Sequence, residues 1–377
     1  MKVSCLQDNL AKGLSIVQRA VSTRTSLPIL SNILIATDGP RLKLAATNLE
    51  IGINCWIGAK IEDEGAITIP ARLLVDFVGS LPPERIEMDL NVRTNTLHMK
   101  CARFEANMNG MDAAEFPIIP APQENDRIAM DADILRKVIR QTTIAAATEE
   151  TRPILTGVQV AFEGGQATFA AADGFRLSVR TAPLKGEASR PVSVIVPARA
   201  LEEVARVATD QEDPVEIYIP EGRNQILFHL NSVDLVSQLI EGRFPDYKQI
   251  IPKGHTTHTV VNTGELLQAV KTVNIYAREA SNVVKLQVAP ATDLASAHIN
   301  LNATAAQVGD NVGEVDATVE GQGLEIAFNS RYMIDVLSVI DEAQVSLDTT
   351  APSSPGVIRP VGSEDFIHVI MPMHITQ

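Results

Sequence analysis

Cysteine is scarce in this chain of 377 residues: there are three, Cys5, Cys55 and Cys101, with no CxxC spacing among them. An odd, unpaired trio argues against a disulfide framework and for a reducing compartment. Long apolar runs are missing as well. No stretch approaches the roughly 18 apolar residues of a membrane helix, and Met1 to Asp8 reads as a short strand running into a helix cap rather than as a signal peptide. The expectation is a soluble, cytoplasmic chain with no membrane partner. Cations are outnumbered, 32 Lys and Arg against 46 Asp and Glu, a formal net charge of −14. Such a balance disfavours polyanionic partners unless the cations are gathered on one surface. Enzyme signatures are absent too. There is no GxxxxGK[ST] phosphate loop, no GxSxG and no HExxH, and the acidic residues form no second carboxylate cluster that would suggest acid and base roles.

What is present is repetition. Thr151-Arg152-Pro153-Ile154-Leu155-Thr156-Gly157, then Ala172-Asp173-Gly174-Phe175-Arg176-Leu177, then Ile195-Val196-Pro197-Ala198-Arg199 occur in that order. About 125 residues earlier the same order appears as Ser26-Leu27-Pro28-Ile29-Leu30, Thr47-Asn48-Leu49-Glu50-Ile51 and Thr68-Ile69-Pro70-Ala71-Arg72. A fainter third pass places Asn329-Ser330-Arg331 ahead of the apolar run Tyr332 to Leu337. Self-similarity at a fixed period divides the chain into three domains, 1–125, 126–253 and 254–377.

Each repeat reads as strand, helix, strands, then the same again, an α+β pattern. Apolar spacing gives helices over 9–20 with Asp8 as cap, 71–80, 132–146, 198–207, 263–278 and 330–340. Strands are expected over 3–6, 31–37, 42–47, 85–89, 96–101 and 103–108, and in the second repeat over 157–162, 166–172, 192–196 and 216–219. The helices and their immediate ends carry Lys12, Arg19, Arg72, Arg136, Lys137, Arg140, Arg199, Arg206, Lys271, Arg278 and Arg331, with Arg24 just beyond the first. Acidic residues on these helices sit mostly at N-termini, where the helix dipole accounts for them, so the excess of negative charge lies on strands and loops.

The RPILTG and ADGFRL pair, VPAR before the second helix of the middle copy, EGRFPDY at its end and MPM near the C-terminus together resemble the bacterial DNA polymerase III beta-subunit family, the sliding clamps, over essentially the whole chain. The resemblance implies the DNA clamp fold: three repeated domains, each with two helices packed on antiparallel sheets, forming a ring as a head-to-tail homodimer. It implies a non-catalytic processivity factor that encircles double-stranded DNA with Arg24, Arg72, Arg136, Lys137, Arg140, Arg199 and Arg206 facing the duplex. Contacts to phosphate rather than to base edges would leave such a ring free to slide.

The resemblance also implies a groove that takes short linear motifs from the DNA polymerase III alpha subunit, the clamp loader delta subunit, and other clamp-binding polymerases and repair proteins. Matching motif to motif, its residues here are Arg152, Leu155, Thr156, Gly174, Phe175, Arg176, Leu177, Pro245, Ile250, Asn329, Tyr332, Val369, Met371 and Met373. Aliphatic and methionine walls suit varied apolar anchors. Ala172 and Phe175 stand where the family often has Thr and His, and Gln249 where a basic residue is sometimes found, which implies a less polar rim. For the dimer contact, the resemblance points to Phe104 or Ala106 against Ile275 and Tyr276. No cofactor and no metal is expected: His255 and His258 have ligand-like spacing but read as part of the Pro252-Lys253-Gly254 linker without paired ligands. A repeat-built enzyme and a linear three-domain scaffold are the competing classes.

Overall fold

The computed structural model describes residues 1–22, 25–122, 127–149 and 151–374. Among these residues six α-helices form: α1 (Gln7–Val17), α2 (Ala71–Ser80), α3 (Ala132–Thr143), α4 (Ala198–Val207), α5 (Thr263–Ala277) and α6 (Ser330–Leu337). Periodicity places α2 and α4 correctly and overruns the ends of the others. In α3 the hydroxyls of Thr142 and Thr143 donate back to the Val138 and Ile139 carbonyls at 2.8 and 3.0 Å, which weakens the last turn. Asp8 is not the cap of α1. Leu6 holds that position without a side-chain bond, and Asp8 lies inside the first turn, where its carboxylate still favours the helix dipole.

The chain forms two compact units, and neither coincides with a sequence repeat. The first comprises residues 1–136, 184–189 and 199–239. It contains a five-stranded antiparallel sheet in the order Lys60–Asp63, Lys2–Leu6, Arg85–Asn91, Thr96–Cys101, Phe104–Asn109. Its eight-stranded sheet runs Ile128–Met130, Val215–Tyr218, Gln225–Leu230, Val233–Gln238, Ile51–Gly58, Arg41–Thr47, Asn32–Asp38, Ala66–Pro70. Leu10, Leu14 and Val17 of α1 are buried against these strands. The helix approaches closely because residue 13 is glycine: a Cβ there would sit 2.7 Å from Leu44 Cδ1. The three cysteines are free and buried in this unit, and burial pushes the Cys5 thiol up to about 12 and that of Cys55 to about 11.

The second unit comprises residues 137–183, 190–198 and 240–377. Its single twelve-stranded sheet runs Val192–Pro197, Gly157–Glu163, Gln166–Ala172, Arg176–Pro183, Phe366–Ile370, Gly356–Pro360, Gln344–Thr349, Thr257–Asn262, Gly309–Gly321, His298–Ala305, Val283–Ala289, Leu324–Asn329. α5 and α6 pack together over its second half, burying Leu266, Val270, Val273, Met333 and Val336 among strand residues such as Leu286, Leu301 and Phe328.

One seam recurs. Ile51–Gly58 pairs with Val233–Gln238, and 125 residues later Arg176–Pro183 pairs with Phe366–Ile370, so each of the two larger sheets joins strands of two successive repeats. The turns leading into the two seam strands are built alike. Asn48 Oδ1 accepts from the backbone N–H groups of Glu50 and Ile51 (3.0 and 2.7 Å), and Asp173 Oδ1 accepts from those of Phe175 and Arg176 (2.8 and 3.0 Å). The residue between is left-handed in both, Leu49 at φ 76° and Gly174 at φ 95°. Glycine adopts that backbone freely, whereas a leucine there costs about 1 kcal/mol. Among the described residues no helix is long and apolar enough to cross a membrane.

Candidate functional site

The second unit gathers the residues of the expected peptide groove. Pro153 opens a 3-10 turn over Pro153–Thr156 whose last hydroxyl donates to the Pro153 carbonyl at 2.7 Å, and Ala147 N–H donates to the Leu155 carbonyl at 2.8 Å. Opposite it stands the Asp173–Phe175 turn. Glycine suits that turn on two counts: the φ of Gly174 is left-handed, and a Cβ would come 3.1 Å from Arg152 Nη1, so the arginine would have to shift. Strand pairing sets Leu177 beside Val369, and one residue past the strand end the Met371 N–H donates to the Phe175 carbonyl at 2.8 Å. The chain then crosses to the far strand of the sheet, where Met373 N–H donates to the Ala327 carbonyl at 2.8 Å, two residues before Asn329 caps α6 by accepting from Arg331 N–H.

Arg176 is the hub. Its Nε donates to Asp173 Oδ2 at 3.0 Å and its Nη1 to Asp335 Oδ2 at 2.6 Å, while the guanidinium lies over the Tyr332 ring, 4.1 Å from its centroid. Both the arginine and Asp173 are almost buried, with side chains 11% and 12% exposed. Burial, then the charge of Asp173, raises the Tyr332 hydroxyl above the usual tyrosine range, so it stays neutral as a donor. Beneath lies His368, fully buried, its Nδ1 2.7 Å from Ser178 Oγ. Burial and then the Arg176 charge push its pKa down to about 3.

These groups frame a cleft of about 300 Å³ lined by Ala146, Ala147, Thr148, Thr151, Arg152, Phe175, Arg176 and Tyr332, among others. A separate apolar cluster unites Ala172, Leu177, Val369 and Phe244 with the half-buried Leu155, Tyr247 and Ile251. Phe175, Ile250 and Met371 are exposed at 61%, 43% and 40%. Pro245 is also exposed and accepts from Tyr247 N–H in the turn leading to Ile250. One correction follows. Ala172 is buried in the cluster and makes no rim, so the apolar rim is the work of Phe175. Gln249 is exposed and is held by Asp246 at 2.8 Å. The sequence reading also passed over Asp335, which lies one helical turn beyond Tyr332, and over Phe244 and Tyr247, which lie within the FPDY motif already quoted.

The expected DNA-facing cations all sit on helices, apart from Arg24, which lies outside the described residues. Arg72, Arg140, Arg199 and Arg206 are exposed; Arg136 and Lys137 are half-buried. Most carry a carboxylate neighbour: Arg72 with Asp76 at 3.7 Å, Arg136 with Asp133 at 2.9 Å, Arg206 with Glu203 at 3.4 Å. In the second unit Lys137 binds Glu342 at 2.9 Å and Arg140 binds Asp341 at 2.6 Å. Burial alone would raise both carboxyls, but hydrogen bonding and the charge of these cations together outweigh it and hold them below the usual range. Arg199 has no ion pair among the described residues. At the expected dimer contact, Phe104 and Ala106 lie two apart on the outermost strand of the five-stranded sheet and share one face; Phe104 is 54% exposed. Ile275 is 53% exposed, whereas Tyr276 packs on its own core.

The fold is that of the DNA sliding clamps. The solved clamp of Bacillus subtilis superposes with a TM-score of 0.93 at 32% identity over 100% of both chains, and the beta subunit of Thermotoga maritima with 0.90 at 26%, again over 100% of both. The curated beta sliding clamp of Bacillus subtilis is 33% identical over 383 residues, 99% of each chain, and that of Staphylococcus aureus is 31% identical over the same share. Family models for the N-terminal, central and C-terminal domains of the DNA polymerase III beta subunit match residues 1–120, 129–246 and 248–374. The chain belongs to the DNA polymerase III beta-subunit family. Its role is therefore that of a non-catalytic processivity clamp in DNA replication, with DNA and polymerase as partners.

Proposed function

We propose that two copies of this chain close head to tail into a ring of six repeated domains, divided at 125/126 and 253/254, that encircles duplex DNA in the cytoplasm. The first of these divisions lies outside the described residues and falls in the gap between the N-terminal and central family models, which end at 120 and begin at 129; the central and C-terminal models meet at 246 and 248, just ahead of the second. Full-length likeness to sliding clamps is the observation that carries the reading. Arg24, Arg72, Arg136, Lys137, Arg140, Arg199 and Arg206 then face phosphate, which reconciles a net charge of −14 with a polyanionic partner. Binding by enclosure needs no base contact, so the ring slides, and a tethered polymerase rebinds at high effective concentration.

The exposed Phe104 and Ile275 close the ring, Phe104 with Ala106 beside it. Native mass determination is expected to give twice the 40.7 kDa chain, falling to one chain for Ile275→Asp. Once placed on nicked circular DNA by its clamp loader, the ring should be retained and then lost when the circle is linearised. A single-chain mass together with equal retention on both DNA forms would refute enclosure.

The cleft beside Arg176 and the apolar shelf of Leu155, Leu177, Ile250 and Val369 receive the short linear motifs of the polymerase alpha subunit, the clamp loader delta subunit and other clamp-binding polymerases and repair proteins, with Met371 and Met373 as adaptable walls. Met371→Ala removes an exposed apolar contact and no core packing. It is expected to weaken a fluorescent alpha-subunit motif peptide by about fivefold in Kd, about 1 kcal/mol, while leaving Tm unchanged.

A further inference from the structure

The linker histidines, which have no ligand partner close by in the sequence, converge on a buried carboxylate. His258 lies on the strand Thr257–Asn262, between two others, with Asp348 directly opposite on one side and Glu320 on the other. Residues directly opposite in antiparallel strands share a face, so Asp348 and Glu320 lie on the same face as His258. Nδ1 of His258 is 2.5 Å from Asp348 Oδ1, and Nδ1 of His255 approaches the same oxygen at 3.9 Å. The other oxygen, Oδ2, is taken by Arg359 Nη1 at 2.6 Å.

We infer that His255, His258 and Asp348 form a binding site for one Zn²⁺ ion. One ligand atom from each of the three lies within 4.8 Å of the others. A tetrahedral ion with bonds of roughly 2.0–2.1 Å holds its ligand atoms about 3.3 Å apart, and the two nitrogen–oxygen separations, 2.5 and 3.9 Å, bracket that spacing. The donor set of two neutral imidazoles and one carboxylate is a zinc set, and it leaves a fourth position for water or for Glu320. Arg359 plays the part an outer hydrogen bond plays around metal ligands: it fixes the carboxylate so that Oδ1 points at the histidines.

The backbone is organised to the same end. Thr256 N–H donates to the Thr349 carbonyl at 3.0 Å, its hydroxyl to the Thr350 carbonyl at 2.8 Å, and the Thr350 hydroxyl to the Gly254 carbonyl at 3.3 Å. Residues 254–258 are thus laced to 348–350, which holds the exposed His255 over Asp348. A hydrogen-bonded network of His258, Asp348 and Arg359 alone has no use for His255, whose ring stacks at 5.4 Å from that of His258. An ion bound here clips the segment after the second repeat to the sheet of the third.

The test uses the untagged full chain stripped with chelator. Because the three cysteines are buried and unpaired, surface thiols do not compete for metal. Isothermal titration with Zn²⁺ should show one equivalent per chain bound at micromolar Kd, with no comparable heat from Mg²⁺ or Ca²⁺, and Co²⁺ should give the intense visible bands of a four-coordinate site. His255→Ala, an exposed change that leaves the strands intact, should weaken Zn²⁺ at least about tenfold and abolish its thermal stabilisation, while His98→Ala should do neither. No stoichiometric uptake, or uptake equal in wild type and His255→Ala, overturns the site and leaves only the hydrogen-bonded network.

Discussion

Arg176→Ala is expected to lower stability by about 2 to 3 kcal/mol and to weaken partner-peptide binding by at least about tenfold. The guanidinium is nearly buried between Asp173 and Asp335 and rests on Tyr332. Truncation strands a nearly buried carboxylate at Asp173 with no cation, the costly way to break such a pair. Asp335 is 41% exposed, so solvent screens its share, which keeps the estimate at or below the low end for buried pairs. Arg176→Lys restores charge but neither the forked geometry nor the stacking, so it should recover only part of both losses. Chemical denaturation and peptide titration on the three proteins measure this. Equal stability of wild type and Arg176→Ala would show that the network is ornamental.

The second large effect is a loss of stability on mild acidification, carried by His368. Its folded pKa, about 3, lies below the ordinary histidine value of 6.5 because the ring is buried and Arg176 is near. The sign follows from linkage: below 6.5 the unfolded chain takes up a proton that the folded chain refuses, so stability is complete above about pH 6.5 and falls as pH drops toward 3. The expected slope is about 1.4 kcal/mol per pH unit over that window. His368→Gln removes the titrating group, so its stability should be flatter between pH 6 and 4 than that of wild type, measured by urea denaturation across pH. Because Arg176 contributes to the depression, Arg176→Ala should move the His368 titration back toward the ordinary value.

Much of this was legible in the residues. Helical spacing marks α2 and α4 to the residue, and the paired turns at Asn48 and Asp173, which share one hydrogen-bond pattern, stand out as a repeat in the sequence. Arg152, Leu177 and Met371 were reached by motif likeness and lie in one unit around one cleft and shelf. What stayed hidden depends on pairing between residues far apart in the chain. Nothing near His258 announces Asp348, 90 residues on, because the contact exists only once the strands Thr257–Asn262 and Gln344–Thr349 lie side by side. Nor does Tyr332 announce Arg176, 156 positions earlier in the numbering and stacked on its ring. Periodicity reports which face of an element is apolar; it cannot report which element will cover that face.

The recurring seam has a practical consequence for anyone dissecting the molecule. A fragment ending near residue 125 keeps Ile51–Gly58 but loses Val233–Gln238, baring a row of backbone N–H and C=O groups beside apolar side chains, which is a template for self-association. Pieces cut at the sequence repeats should therefore aggregate, and the smallest well-behaved fragment must carry both partners of a seam.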